Sequence, residues 1–357
     1  MTQMKKYPSI DQFRQVIRNV KSRAQYVGKD ENGAAIYDSS KSIPTLTFEG
    51  TVKIHGTNAS IVHHIDGCGY VYQSRERILT LEQDNAGFML YMKNQESVLH
   101  DLFETLYDTL GYDKRPIDDW PSIAVYGEWC GQGIQKGVAV SELSKRFIVF
   151  GIKIWNPKDS TETRWLTREE IEDFKNENAR IFNIYQFPTY KIDIDFNYPE
   201  IAQQKMVEIT ENVEKECPVG AYFGVSNGCG EGVVWKCITP GWTSSDFWLK
   251  VKGEKHSVSK VKTLAPVDVE AVAAVKEFVE YAVTEQRLEQ MLQVLQNELL
   301  KPFEPSSLGD FIRLVMKDVH KEEQDTIVQN QIDPKKLGGP VADKCRKFFF
   351  EKYNGNA

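Results

Sequence analysis

The chain has 357 residues, of which 41% are hydrophobic and 27% are charged, and its formal net charge is −7. This balance is typical of a soluble globular protein with a sizeable core and argues against a disordered chain. No apolar run reaches the roughly 20 residues of a membrane-spanning helix, and the acidic balance argues against non-specific nucleic-acid binding.

The N-terminal residues and the cysteines bear on where the protein works. The first residues carry two lysines and a proline but no apolar signal-peptide core, so we expect no export. The six cysteines show no Cys-x-x-Cys spacing, which argues against a zinc site. We therefore expect reduced thiols in a cytoplasmic protein.

Helical and strand patterns follow one another through the first 252 residues. In chain order, the sequence predicts a helix at 9–20, a polar, turn-rich segment at 28–42, strands at 45–48, 59–65 and 70–74, a helix at 84–110, strands at 123–130 and 147–155, helices at 167–176 and 199–216, and strands at 232–236 and 247–252. Thr167 and Glu170 form a capping box for the third helix. The pattern predicts an α+β fold with antiparallel strands.

The pattern changes after Leu264-Ala265-Pro266, where helical periodicity continues without a convincing strand. Two apolar faces and two further helical spans support this reading: the faces Val272, Val275, Phe278, Val279 and Leu288, Leu292, Leu295, Leu299, and the spans 308–321 and 340–353. We therefore predict two domains, at 1–262 and 263–357, joined through a basic linker at 254–266.

Five short segments place a charged or aromatic side chain at the end of a predicted strand. They are Lys53-Ile54-His55-Gly56, Ser74-Arg75-Glu76-Arg77, Tyr126-Gly127-Glu128, Glu231-Gly232-Val233-Val234 and Leu249-Lys250-Val251-Lys252. A lysine nucleophile that attacks a phosphate needs cations to neutralise charge, a carboxylate for a divalent metal and groups that position a nucleotide. Lys250 and Lys252 alternate along one strand, so both face one cleft.

Together these segments resemble the nucleotidyltransferase motifs of ATP-dependent polynucleotide ligases, over residues 45–262. The run Lys53-Ile54-His55-Gly56-Thr57-Asn58 is most similar to the RNA ligase 2 family of nick-sealing enzymes, whereas DNA ligases usually carry aspartate where His55 stands. The resemblance implies an antiparallel-sheet nucleotidyltransferase domain of the ATP-grasp-like ligase kind, with a small all-α C-terminal domain. It also implies ATP and Mg²⁺ or Mn²⁺ as cofactors.

The resemblance assigns the transfer chemistry to three lysines and one glutamate. Lys53 would attack the α-phosphate of ATP and carry AMP as a lysyl phosphoramidate. Lys250 and Lys252 would contact that phosphate and stabilise its charge. Glu231 would help to bind the divalent metal.

The resemblance also implies a set of binding residues. Asn58 and Arg75 would bind the nucleotide, Glu128 would bind the ribose hydroxyls, and Phe150 would stack on adenine. Phe150 is followed by Gly151-Ile152, where many relatives carry an acidic residue.

Contacts with the nucleic acid are implied for Arg75, which would later hold the 5′-phosphate, and for His55 and Lys255.

The reaction implied is ATP-dependent joining of a 3′-hydroxyl to a 5′-phosphate, at nicks in duplex RNA or RNA–DNA hybrids, by a monomer that binds RNA and no membrane. One alternative is an mRNA capping guanylyltransferase, which uses the same nucleophile with GTP; the lack of a C-terminal OB-fold pattern counts against it. The other is a non-catalytic RNA end-binding protein of the same fold. The joint presence of Lys53, Glu231, Lys250 and Lys252 counts against that reading.

Overall fold

A computed structural model describes residues 4–65, 69–156, 158, 163–253, 275–330 and 332–355. Two antiparallel sheets with flanking helices form the described part before residue 254. The described residues from 275 onward lie in helices and their connections. The predicted α+β class with a helical C-terminal region is confirmed.

Twelve strands are described, and all but one of their pairings are antiparallel. They are β1 (Tyr26–Lys29), β2 (Ala35–Tyr37), β3 (Thr45–Lys53), β4 (Thr57–His64), β5 (Gly69–Ser74), β6 (Ser122–Cys130), β7 (Arg146–Trp155), β8 (Thr163–Trp165), β9 (Ile181–Asn183), β10 (Thr189–Asp195), β11 (Gly232–Cys237) and β12 (Trp248–Lys252). One sheet has the order β10-β3-β11-β12 and the other β5-β4-β6-β7-β8, with β9 parallel to β7. The strands β1 and β2 form a separate hairpin.

Ten α-helices are described. They are α1 (Phe13–Gln25), α2 (Phe88–Lys93), α3 (Glu96–Thr109), α4 (Arg168–Ile171), α5 (Pro199–Lys215), α6 (Pro218–Tyr222), α7 (Val275–Ala282), α8 (Glu285–Gln293), α9 (Leu308–Gln329) and α10 (Gly338–Gly355). A π-helical turn, Val294–Glu298, extends α8. The expected capping box of Thr167 and Glu170 is present at α4.

Each sheet has its own core, and the helical region has a third. Phe48, Trp235 and Leu249 belong to the core of the four-stranded sheet. Aromatic side chains such as Phe103 and Trp129 fill the core of the other sheet. Because β6 is buried along almost its whole length, it carries the nearly continuous apolar run of a central strand.

Several element boundaries differ from the predictions, because tertiary packing overrides local pattern. The segment 28–42 contains β2 and part of β1, and the helix predicted at 84–110 is divided into α2 and α3. The helix predicted to reach residue 176 ends at Ile171. The strands β8, β9 and β10 were not predicted; each is short or half-exposed.

Leu299, which the sequence assigns to an apolar helix face, is exposed. The predicted linker, Val272, the turn at 67–68 and the boundary at 262/263 lie outside the described residues, so the domain boundary remains a prediction. Among the described residues, no helix combines the length and apolar character needed to cross a bilayer.

Candidate active site

Strand register brings the chemically important ends of three neighbouring strands together. Gly232 on β11 lies opposite Lys53 on β3 and opposite Lys252 on β12. Glu231 immediately precedes this position. Segments that are about 180 residues apart in the sequence therefore meet at one sheet edge.

Glu231 is the centre of the cluster and contacts three cationic or titratable side chains. Its Oε2 lies 2.6 Å from Lys53 Nζ and 3.2 Å from His55 Nδ1, and its Oε1 lies 3.1 Å from Lys252 Nζ. Burial disfavours the carboxylate, but the charges of Lys53 and Lys252 outweigh burial and hold the pKa of Glu231 well below its usual range. Glu231 is therefore an ionised, buried counter-ion for the lysines.

Burial acts in the other direction on Lys252. It lowers the pKa of the Lys252 ammonium, with the charges of Lys53 and Lys250 adding to the effect and that of Glu231 opposing it. Lys53 and Lys252 share the single carboxylate of Glu231, and the resulting excess of positive charge is suited to an anionic phosphate.

The turn that follows Lys53 joins the two sheets. It leads from β3 to β4, and the Gly56 N–H donates to Glu128 Oε1 at 3.0 Å. The Gly56 carbonyl accepts from Gln135 Nε2 at 3.0 Å. A Cβ on Gly56 would come within 2.4 Å of the Trp129 carbonyl oxygen, so the turn requires glycine for close approach.

Glu128 occupies the other side of this turn, on β6 opposite Asn58 of β4. Burial raises the pKa of Glu128 to about 7, although the charge of Lys53 favours the carboxylate. The two buried glutamates of the site thus have pKa values that are shifted in opposite directions.

Lys250 and Lys252 point to the same side of β12, as predicted, while Val251 is buried in the sheet core. Their partners differ, however. Lys250 Nζ lies 3.0 Å from Glu322 Oε1 of α9. The helical region therefore reaches the candidate site directly.

The predicted binding residues lie around this centre. Arg75 is exposed directly after β5, and its positive charge favours the ionised form of Glu128. Phe150 is half-buried on β7, and its ring lies 4.9 Å from the ring of Tyr7. Lys255 lies outside the described residues.

Of the two buried glutamates of the site, Glu231 is the one held ionised, and its oxygens already contact Lys53, His55 and Lys252. Among the described residues, the group of three candidate ligands is the exposed set His100, Asp101 and Glu104 on α3, away from the lysine cluster. Mg²⁺ is commonly held by one or two carboxylates together with substrate phosphates. The residues present therefore fit a metal that would arrive with the nucleotide, to which Glu231 would offer one ligand.

Sequence reasoning missed the residues that reach the site from distant segments: Tyr7, Gln135, Glu298 and Glu322. Glu298 Oε1 accepts from Thr57 Oγ1 at 2.9 Å, although the two residues are 241 positions apart. No local motif marks these residues, so only the folded chain reveals them.

Comparison with known proteins relates the sequence of this chain to a family. A family model described as RNA ligase matches residues 46–252, more than half of the chain. A search of curated proteins found no match.

Among solved structures, the chain is similar to RNA ligase from Naegleria gruberi. A mutant of that enzyme with ATP and Mn shares 16% identity and a TM-score of 0.41, over 71% of this chain and 57% of that chain. The same enzyme with PPi shares 15% identity and a TM-score of 0.41, over 71% and 56% of the two chains. This chain thus covers little more than half the length of these structures.

Proposed function

This chain belongs to the RNA ligase family, and we propose that it is an ATP-dependent RNA ligase that joins 3′-hydroxyl and 5′-phosphate ends through a lysyl–AMP intermediate. The observation that carries the proposal is the cluster at the sheet edge. Lys53 lies against Glu231, with Lys252 on the same carboxylate. Binding alone does not require a lysine held in this way.

In the first step, the Lys53 ammonium loses a proton and the resulting amine attacks the α-phosphate of ATP. The N–P bond forms, the bond from the α-phosphorus to the bridging oxygen breaks, pyrophosphate leaves, and the attacking nitrogen loses one further proton. Lys250 and Lys252 lie on the same side of β12, where they would stabilise the charge on the phosphate. A divalent ion held by Glu231 and the phosphates would neutralise charge on the leaving group.

The nucleotide would lie along the turn between the sheets. Glu128 would accept hydrogen bonds from the ribose hydroxyls, and Asn58, opposite it on β4, would assist. Phe150 would stack on adenine. Arg75 would contact the ribose and phosphate from the exposed end of β5.

Two further transfers complete the proposed reaction. The RNA 5′-phosphate attacks the lysyl–AMP phosphorus, which frees Lys53 and forms an AppRNA end. The 3′-hydroxyl then attacks the RNA phosphorus of that end and expels AMP, with loss of one proton. Arg75, His55 and Lys255 are our candidates for contacts with the nucleic acid, and the motif resemblance favours nicks in duplex RNA or RNA–DNA hybrids.

We place this reaction in the cytoplasm and assign it to a monomer with no membrane contact. The support for the cellular compartment is that none of the described cysteines is in a disulfide, which is usual in a reducing environment.

The test is incubation with ATP labelled with ³²P at the α-phosphate and Mg²⁺, beside Lys53→Ala and a parallel reaction with labelled GTP. The matched control is Lys29→Ala, because Lys29 is an exposed lysine of the separate β1–β2 hairpin. We expect an acid-labile protein label from ATP in the wild type and the control, and none in Lys53→Ala.

Label from GTP alone would indicate a capping guanylyltransferase instead. Absence of label from both nucleotides, in folded protein, would indicate a non-catalytic binder. Chelation of the metal with EDTA should abolish the label. Sealing of a nicked RNA duplex, compared with single-stranded RNA, then tests the substrate.

A further inference from the structure

The helical region contacts the N-terminal part beside the candidate active site. A row of ion pairs joins α9 to two elements, α1 and β12. The pairs are Lys250–Glu322, Arg14–Glu323 and Arg18–Asp325. Gln12 also donates to Glu322 Oε2 at 2.9 Å. Acidic side chains of α9 thus cover basic side chains beside the candidate site.

The basic side chains of this row lie on two elements that contact each other, β12 and the start of α1. The Lys250 N–H donates to the Asp11 carbonyl at 2.9 Å, which ties the segment leading into α1 to β12. Arg14 and Arg18 are four residues apart, so they lie about 6 Å apart along one face of α1. The row therefore extends from Lys250, at the proposed phosphate site, along α1.

In the described part of the chain, the side-chain contacts that join α9 to α1 and β12 are hydrogen bonds and ion pairs. The core of the helical region consists of residues from 275 onward, so among the described residues it shares no member with the cores of the two sheets. Domain contacts that depend on polar pairs resemble transient interfaces, for which relative motion is the default. The helical region is thus built to dock reversibly.

Docking also leaves buried charged groups incompletely hydrogen-bonded. Within the described part of the chain, Arg14 Nε and Glu298 Oε2 are buried without a hydrogen-bond partner. A buried polar atom without a partner costs free energy that exposure to water would recover. Exposure of Arg14 Nε to water would therefore recover part of the free energy that is lost when a competing anion displaces α9.

We propose that the row of Lys250, Arg14 and Arg18 is a binding surface for the phosphate backbone of RNA, and that the acidic side chains of α9 occupy it when RNA is absent. The inference rests on the proposed function, because it takes RNA as the polyanion. Carboxylates and phosphates compete for the same guanidinium and ammonium groups. RNA binding would displace α9 and release Lys250 from Glu322.

The experiment measures binding of a fluorescent nicked RNA duplex whose 3′ end lacks the hydroxyl, so that sealing cannot occur. The variants are Arg18→Ala and Asp325→Asn, chosen because Arg18 is 58% exposed and its loss is tolerable for folding. The control is Asp343→Asn, which removes an equal charge from an exposed intrahelical pair on α10. Anisotropy is recorded over a range of salt concentrations.

We expect Arg18→Ala to weaken binding about three- to tenfold and to reduce the salt slope by about one. Asp325→Asn should tighten binding by about threefold, because the apparent Kd equals the intrinsic Kd divided by the fraction of protein with the surface uncovered, and the variant raises that fraction. The control should leave both quantities unchanged. Glu322→Gln provides a second release variant and should act like Asp325→Asn.

An unchanged Kd and salt slope in Arg18→Ala would overturn the assignment of the surface. If Asp343→Asn tightens RNA binding as much as Asp325→Asn does, the gain in affinity comes from the change in net charge alone. That result would overturn the covering role of α9. Both results leave the proposed ligase function standing if lysyl–AMP forms. Failure of every variant and the wild type to bind RNA would instead refute the proposed function, and the inference with it.

Discussion

Replacement of Glu322 by glutamine should reveal how much the contact between α9 and Lys250 of β12 contributes to the free energy of unfolding. Burial alone would raise the pKa of Glu322, but the charge of Lys250 and a hydrogen bond from Gln12 lower the pKa to about 2. An unperturbed glutamate has a pKa of about 4.3. A lowered pKa means that the ionised group stabilises the folded state above pH 4.3 and loses this effect as the pH falls through 2.

The size of the effect follows from the two pKa values. The difference between the two pKa values corresponds to about 3 kcal/mol of stability at pH 7, to roughly half of that at pH 3 and to a small remainder at pH 2. Glu322→Gln removes this contribution, so the decrease that it causes in the free energy of unfolding should become smaller as the pH falls from 4.3 to 2. The measurement is urea unfolding of the wild type and variant at pH 7 and pH 3.

A matched variant, Glu351→Gln, alters an exposed pair on α10 and should change stability by no more than about 0.5 kcal/mol at either pH. Lys250→Met combined with Glu322→Gln completes a double-mutant cycle that isolates the pair. If Glu322→Gln lowers the free energy of unfolding equally at pH 7 and pH 3, the assigned role of the Glu322 carboxylate is refuted. No decrease at pH 7 would refute it as well.

Three further outcomes are expected. Gly56→Ala should destabilise the fold by about 1–3 kcal/mol and abolish lysyl–AMP formation, because the new methyl group would meet the Trp129 carbonyl; Gly309→Ala, with open space around it, is the control for urea unfolding. Glu128→Gln should raise the free energy of unfolding at pH 8 by up to about 3 kcal/mol and give no gain at pH 4, because the pKa of Glu128 is raised to about 7. The same variant should form less lysyl–AMP, and equal stability changes at both pH values would contradict the assignment. Deletion of residues 266–357 should spare lysyl–AMP formation and lower sealing of a nicked duplex; equal loss of both activities would show that the helical region serves the first step.

These predictions share one physical basis, because the N-terminal part and the helical region are held in place by different kinds of contact. The N-terminal part places its lysines by strand register, which is rigid because hydrogen bonds fix the register of each strand pair. The helical region has its own core and contacts the N-terminal part through polar side chains. For the proposed reaction, in which a nucleotide binds before RNA, a site fixed by strand register beside a helix held by polar contacts would be a suitable arrangement.

The sequence by itself determined the class of the fold and the identity of the chemical groups. Alternation along β12 placed Lys250 and Lys252 on one side, and the glycine after His55 indicated a tight turn, because both features depend only on neighbouring residues. Short or half-exposed strands such as β9 carry too few apolar residues to be recognised without their partners.

Only the tertiary structure decided which groups touch. Lys53, Glu231 and Lys252 meet because antiparallel register aligns the ends of β3, β11 and β12. The pairing of Lys250 with Glu322 joins residues 72 positions apart across the predicted domain boundary. Side-chain contacts of this kind depend on how whole elements pack, and no local pattern in the chain encodes them.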